Sequence, residues 1–190
     1  MLLSDILFPT YLQMLKALSN WLDKAAQQLA PEKADAILQA RLADDMFPLL
    51  TQICFACVQA QEGSFRVQQK DLPASIGLLL DEGRNPEEQK LSISDVQSRI
   101  ADAIRLVEAA AQEARNLPPE TPLAHALPQR MVFDLTAAQY VRDWAIPQFY
   151  FHVMAAYAIL RAEGISLGKV DYVAHMLQFV RPGTMPAQEQ

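Results

Sequence analysis

The stretch Trp144-Ala-Ile-Pro147-Gln148-Phe149-Tyr150-Phe151-His152-Val-Met-Ala-Ala156-Tyr157-Ala-Ile159-Leu-Arg161 constrains the fold more than any other part of this chain. It is apolar almost throughout and too long for a strand, so it reads as a buried helix. At 100° per residue, Asp143 and Arg161 lie opposite His152, each nine positions away, and belong to solvent. His152 then points inward with Val141, Ala145, Gln148, Phe149, Ala156 and Ile159. Pro147 has no amide hydrogen, so the carbonyl of Asp143 loses its partner and the helix bends there.

The same helical period runs through the rest of the chain. Leu7, Tyr11, Met14, Leu15, Leu18, Leu22, Ala25 and Leu29 make one stripe, which predicts a helix over 4–29 ending at Pro31. A short helical piece at 33–40 follows. Asp44 and Asp45 suit the positive end of a helix dipole, and Leu50, Ile53, Cys54 and Cys57 continue inward, so a second helix is expected over 45–67 with Gly63 as a weak point. Residues 71–93 carry Pro73, Gly77, Gly83 and Pro86 and read as a long connection. Ser94 and Gln97 have capping-box spacing and open a third helix over 94–115, with the stripe Val96, Ile100, Ala103, Ile104 and Val107. Thr136 and Gln139 have the same spacing and open a fourth over 136–163, closed by Gly164. Between them, Met131–Leu135 suggests a small hairpin. Lys169–Val180 holds one more short apolar pattern. The expectation is an all-α, antiparallel four-helix bundle in a single domain, 1–180, with a loose tail over 181–190.

Charge and composition narrow the function classes. At 190 residues the chain is long enough to bury one good core. The net charge is −6 and no basic cluster exists, which argues against a nucleic-acid surface. No run approaches the ~20 apolar residues of a membrane span, and the amino terminus lacks the basic start and cleavage site of a signal peptide. The expectation is a cytoplasmic protein with no membrane partner. Cys54 and Cys57 have C-x-x-C spacing but lie inside an apolar helical stripe with no second ligand pair, so they read as reduced core residues.

Pro147-Gln-Phe-Tyr-Phe-His152, then Ala156-Tyr157-x-Ile-Leu-Arg161, then Gly164-Ile-x-Leu-Gly-Lys169-x-Asp171-Tyr172, resembles an uncharacterised bacterial family known as domain of unknown function 1993. Arg41-Leu-Ala-x-Asp45-Met-Phe-Pro48-Leu, followed by Gln52, resembles its second signature. Leu72–Leu91 fits poorly and reads as an insertion. That family is similar to the DinB and YfiT superfamily, which implies a four-helix bundle. Many superfamily members hold a divalent metal with three histidines, one on the second helix and two at i, i+4 on the fourth. Here His152 stands alone on the fourth helix, with Gln148 at i−4 and Ala156 at i+4, and the second helix offers Gln52. A neutral amide is a poor ligand for zinc or nickel. No metal and no other cofactor is expected.

The candidate catalytic residue is therefore His152, with Gln52, Gln148 and Asp45 as candidate pocket lining and a small-molecule ligand as the expected partner. Superfamily likeness implies transfer chemistry involving thiols, by fold analogy alone. The plainer alternative makes His152 a core residue of a scaffold, with association as a homodimer through Tyr150 and Tyr157 on the outer face. His125, in the proline-rich connection, is expected to be exposed, and His175 to pair with Asp171 on a surface turn.

Overall fold

The computed structural model describes residues 2–113, 116–127 and 130–184, apart from the side chains of residues 31 and 32. Its first long helix, α1, is Leu3–Gln28. A single turn, Pro31–Ala34, and a 3-10 turn, Ala36–Gln39, lead on to α2, Leu49–Arg66. The shorter α3 is Ser75–Arg84, and α4 is Ile93–Ala111. Strands β1, Pro122–Ala126, and β2, Val132–Thr136, pair antiparallel with His125 opposite Phe133. The last long helix begins with Ala137–Gln139, widens into a π segment, Tyr140–Ala145, and continues as α5, Ile146–Ala162. Two short turns, Lys169–Tyr172 and Ala174–Phe179, finish it. The expected loose tail lies outside the described residues from 185 onward.

Side-chain pairs fix the directions of the helices. Lys16 meets Glu108 while Ser19 meets Gln97, so α1 and α4 are antiparallel. Tyr11 packs on Phe149 and Trp21 on Tyr157, so α1 and α5 run parallel. Gln68 just past α2 reaches the end of α4 at Ala110, and Glu82 on the α3 that folds back over α2 reaches Arg99 near the start of α4. The long link thus carries the chain back, and α2 and α4 point the same way. Tyr11, Trp21, Tyr140 and Phe149 are the largest fully buried side chains, and all four lie between these helices.

Three boundaries depart from the sequence reading. The second helix starts after Pro48, not at Asp45, because a residue preceding proline is pushed out of helical geometry. Asp45 is left in an exposed turn. The capping box of α4 lies two residues earlier than Ser94: Ser92 Oγ accepts from the Asp95 amide at 3.1 Å, and Asp95 Oδ2 accepts from the Ser92 amide at 2.8 Å. Gln97 instead ties α4 to α1 through the carbonyl of Ser19.

The third departure is α3 itself, inside the expected loop. Ile76, Leu79, Leu80 and Gly83 fall at i, i+3, i+4 and i+7, a helical stripe that the two glycines disguised. Gly83 is there for contact: a Cβ on it would stand 2.7 Å from Phe55 and 3.1 Å from Cys54 Cβ. Thr51 Oγ1 donates to its carbonyl at 2.8 Å. Glu82, buried, accepts from both Nε and Nη2 of Arg99, which locks α3 across α2 and α4. The hairpin and the Thr136 box stand as expected, with Gln139 Oε1 accepting from the Thr136 amide at 2.8 Å.

Candidate functional site

His152 sits nearly two turns inside α5, 7% exposed, facing the first turn of α2. Its Nδ1 lies 2.9 Å from Gln52 Oε1. The amide of Gln52 is oriented by its own second bond, since Nε2 donates to the Phe47 carbonyl at 3.2 Å. Gln52 Oε1 must then accept, so Nδ1 carries the proton and Nε2 the lone pair. Nε2 has no partner among the described residues, and it is not among the unpaired atoms sealed from solvent. Burial alone lowers the imidazole from its ordinary 6.5 to about 4, so the ring is neutral at physiological pH.

The walls near this pair are aromatic. Phe55 and Phe151 each place a ring 5.3 Å from His152, edge to face, and Phe47 stands 5.8 Å from Phe55. Phe47 is 54% and Phe151 60% exposed, so they form an open rim. Of the other expected lining residues, Gln148 is half-buried, four positions before His152 on the same helix, and Asp45 is exposed. Burial is the one cause that shifts His152, so no neighbouring carboxylate acts on it. The donor set around His152 is one imidazole and two amides, one of them already committed at both ends. That set does not fit a resident zinc or nickel. Among the described residues no three His, Cys, Asp or Glu side chains gather into a metal-binding group.

Other sequence candidates resolve differently. Cys54 and Cys57 are buried free thiols, and burial pushes Cys54 up to about 12 and Cys57 well above the ordinary range. Tyr150 and Tyr157 are not an exposed face: Tyr150 packs on Phe149, and Tyr157 packs on Trp21 and Tyr172. The exposed large apolar residues of α5 are Phe151 and Met154. Asp171 bonds Lys24 and the Gly168 amide rather than His175.

His125 is the main correction. It is 3% exposed, not a surface residue. In β1 it alternates inward with Leu123, and its ring lies 4.6 Å from Trp144 and 5.4 Å from Tyr140. The period-2 alternation was the available signal, and the surrounding prolines masked it. Tyr140 and Trp144 reach it because of the π segment. An ordinary helical turn before Pro147 would drive the proline ring into the carbonyl of Asp143. The wider turn, in which the Ile146 amide bonds back to the Val141 carbonyl, absorbs that conflict.

The described residues form a helical bundle closed by a small hairpin. The chain belongs to the family described as Domain of unknown function (DUF1993), whose model matches residues 3–173. It is similar to a solved structure, a DinB family member protein from Shewanella denitrificans, at 28% identity and a TM-score of 0.68, covering 99% of this chain and 96% of that one. A comparison with curated proteins found no match. No helix among the described residues is long and apolar enough to cross a membrane.

Proposed function

We propose that this protein binds a small neutral molecule at His152, between α2 and α5, with Nε2 accepting a hydrogen bond from a hydroxyl or thiol of the ligand. The observation that carries this reading is the Gln52–His152 pair. Fixing Nδ1 as the donor leaves a lone pair at Nε2, held in one orientation by an amide anchored to the backbone of Phe47. The rings of Phe47, Phe55 and Phe151 supply apolar contact for the body of such a ligand. An imidazole lowered to about 4 is a weak base but a steady neutral acceptor, which favours an uncharged ligand over a preformed anion. Any transfer chemistry involving thiols rests on likeness to the superfamily alone.

The competing reading is a core histidine in a bundle that associates with a second copy through the exposed Phe47 and Phe151. It draws on one fact: His152 lines none of five well-formed surface cavities among the described residues. One variant separates the two. Under the binding reading, His152→Gln keeps stability within about 0.5 kcal/mol at pH 7 and abolishes the thermal shift given by a library of alcohols and thiols. Under the core reading it loses about 1–3 kcal/mol, and the parent protein gives no hit. We further expect purified protein to carry no stoichiometric zinc or nickel. Metal analysis showing near-equimolar metal that His152→Ala removes would overturn that.

A further inference from the structure

A second site lies at the other end of α2, where the hairpin meets the π segment. His125, Trp144 and Gln59 line one cavity of about 460 Å³. Four of their polar atoms are buried without a hydrogen-bond partner: both ring nitrogens of His125, Trp144 Nε1 and Gln59 Oε1. Folded proteins leave few buried polar atoms unpaired, because each costs about 1–3 kcal/mol. These four belong to three side chains that line one cavity.

The chemistry of these atoms selects the partner. Trp144 Nε1 can only donate, and Gln59 Oε1 can only accept. The desolvated ring of His125 is held below the ordinary imidazole range, so it is neutral and offers one N–H and one lone pair. The unpaired atoms therefore amount to two donors and two acceptors, all uncharged. Three charged side chains also line the cavity: Glu62 and Arg66, which pair with each other, and Arg84. Arg66 Nε donates to Glu62 at 2.7 Å, and Glu62 stays 3.8 Å from His125 Nδ1, beyond hydrogen-bond reach. A net anion such as a carboxylate would face Glu62 and could donate to neither Gln59 Oε1 nor the His125 lone pair, and a net cation would face Arg66 and Arg84. Opposite the polar wall, Val58, Leu72, Ile76 and Leu80 give an apolar floor.

We propose that this cavity binds a small, uncharged amide: a primary carboxamide on an apolar or aromatic body. A carboxamide oxygen accepts two hydrogen bonds and its nitrogen donates two, which matches the unpaired set. Gln59 and Trp144 are only half-buried, so small side-chain rotations turn their atoms toward the cavity. The site is separate from His152, which lies two turns further along the last helix and lines no part of this cavity.

The test is a benzamide titration of the full chain followed by indole N–H resonances. The chain has two tryptophans, and Trp144→Phe identifies which signal is which. Trp21 Nε1 is already committed to the Asp171 carbonyl at 3.3 Å and serves as an internal control. Benzamide is expected to shift the Trp144 signal saturably and leave that of Trp21 in place. Toluene, benzoate and benzylamine should bind more weakly. Gln59→Leu, followed by the same resonance, and Trp144→Phe, followed by titration calorimetry beside the parent protein, both checked for an unchanged circular dichroism spectrum, should each weaken benzamide binding about fivefold, the loss of one hydrogen bond. His152→Gln should leave it unaltered, so the two sites stand or fall separately. The proposal is overturned by any of three results: no saturable shift up to the solubility limit, toluene binding as well as benzamide, or unchanged affinity in both cavity variants.

Discussion

Protonating His152 requires charging a ring that has been taken out of water, and the folded chain resists it down to about pH 4. The unfolded chain accepts the same proton near 6.5. Between those values the unfolded state binds more protons, so stability falls as pH falls. The contribution is fully present above about pH 6.5, is lost through the window below it, and levels off under about pH 4. Its upper bound is on the order of 3 kcal/mol. His125 is lowered in the same direction, chiefly by burial, and steepens the same limb. Urea unfolding at pH 7, 5.5 and 4.5 should show that His152→Gln flattens part of this slope while leaving the part due to His125. A variant as pH-sensitive as the parent would mean that the ring is solvated. The two thiols make a simpler case. A thiol raised to about 12 by burial is almost never the reactive thiolate at neutral pH. Native protein should therefore label at Cys54 and Cys57 no faster than it unfolds, and rapid labelling of either would remove them from the core. Their place in an apolar helical stripe was enough to put these cysteines inside. Pattern was not enough for His125, because the surrounding prolines masked the period-2 alternation that marks its strand face.

At the scale of elements, stripes were readable and ends were not. All four bundle helices follow from period 3.6, because a buried face needs an apolar residue every turn. Where α4 begins depends on a competition between two serines that spacing alone does not decide. Ser94 has a glutamine three positions on, whereas Ser92 has Asp95, whose shorter carboxylate closes the box. Ser92→Ala should cost about 1 kcal/mol and Ser94→Ala less than about 0.5 kcal/mol. The reverse ranking in chemical unfolding would put the cap where the sequence reading had it. Helix α3 was hidden because Gly77 and Gly83 look like breakers, yet Gly83 is the point of closest approach to α2. Its other anchor is the pair between Glu82 and Arg99. Arg99→Ala should leave a buried carboxylate without a partner, at a cost of about 3 kcal/mol, whereas Glu82→Gln with Arg99→Met should recover much of it. The π segment left no sequence signature beyond Pro147. What could be read there was a missing hydrogen bond, not the widened turn that answers it.

For the whole molecule, the question is whether hairpin, bundle and carboxyl-terminal turns melt together. They share one continuous core, in which residues of α1, α2, α3, α4 and α5 are buried against each other. The two tryptophans sample distant parts of it. Trp21 is sealed on α1 between Tyr157 and the stacked ring of Tyr172, so it reports on the bundle and its last turns. Trp144 lies in the π segment between His125 and Phe133 of the two strands, so it reports on the hairpin. If the chain is one cooperative unit, the single-tryptophan variants Trp21→Phe and Trp144→Phe should each show one fluorescence transition coincident with its own loss of helical circular dichroism. The hairpin has only five paired positions, and an isolated two-stranded ribbon is marginal in water. Its order must come from packing on Trp144, Tyr140 and α2, and that dependence predicts coincidence. An earlier fluorescence transition in Trp21→Phe, whose remaining indole is Trp144, would show instead that the hairpin opens while the bundle stands. The cavity beside His125 would then be exposed by local opening, and its four unpaired atoms would be reached from solvent without any ligand.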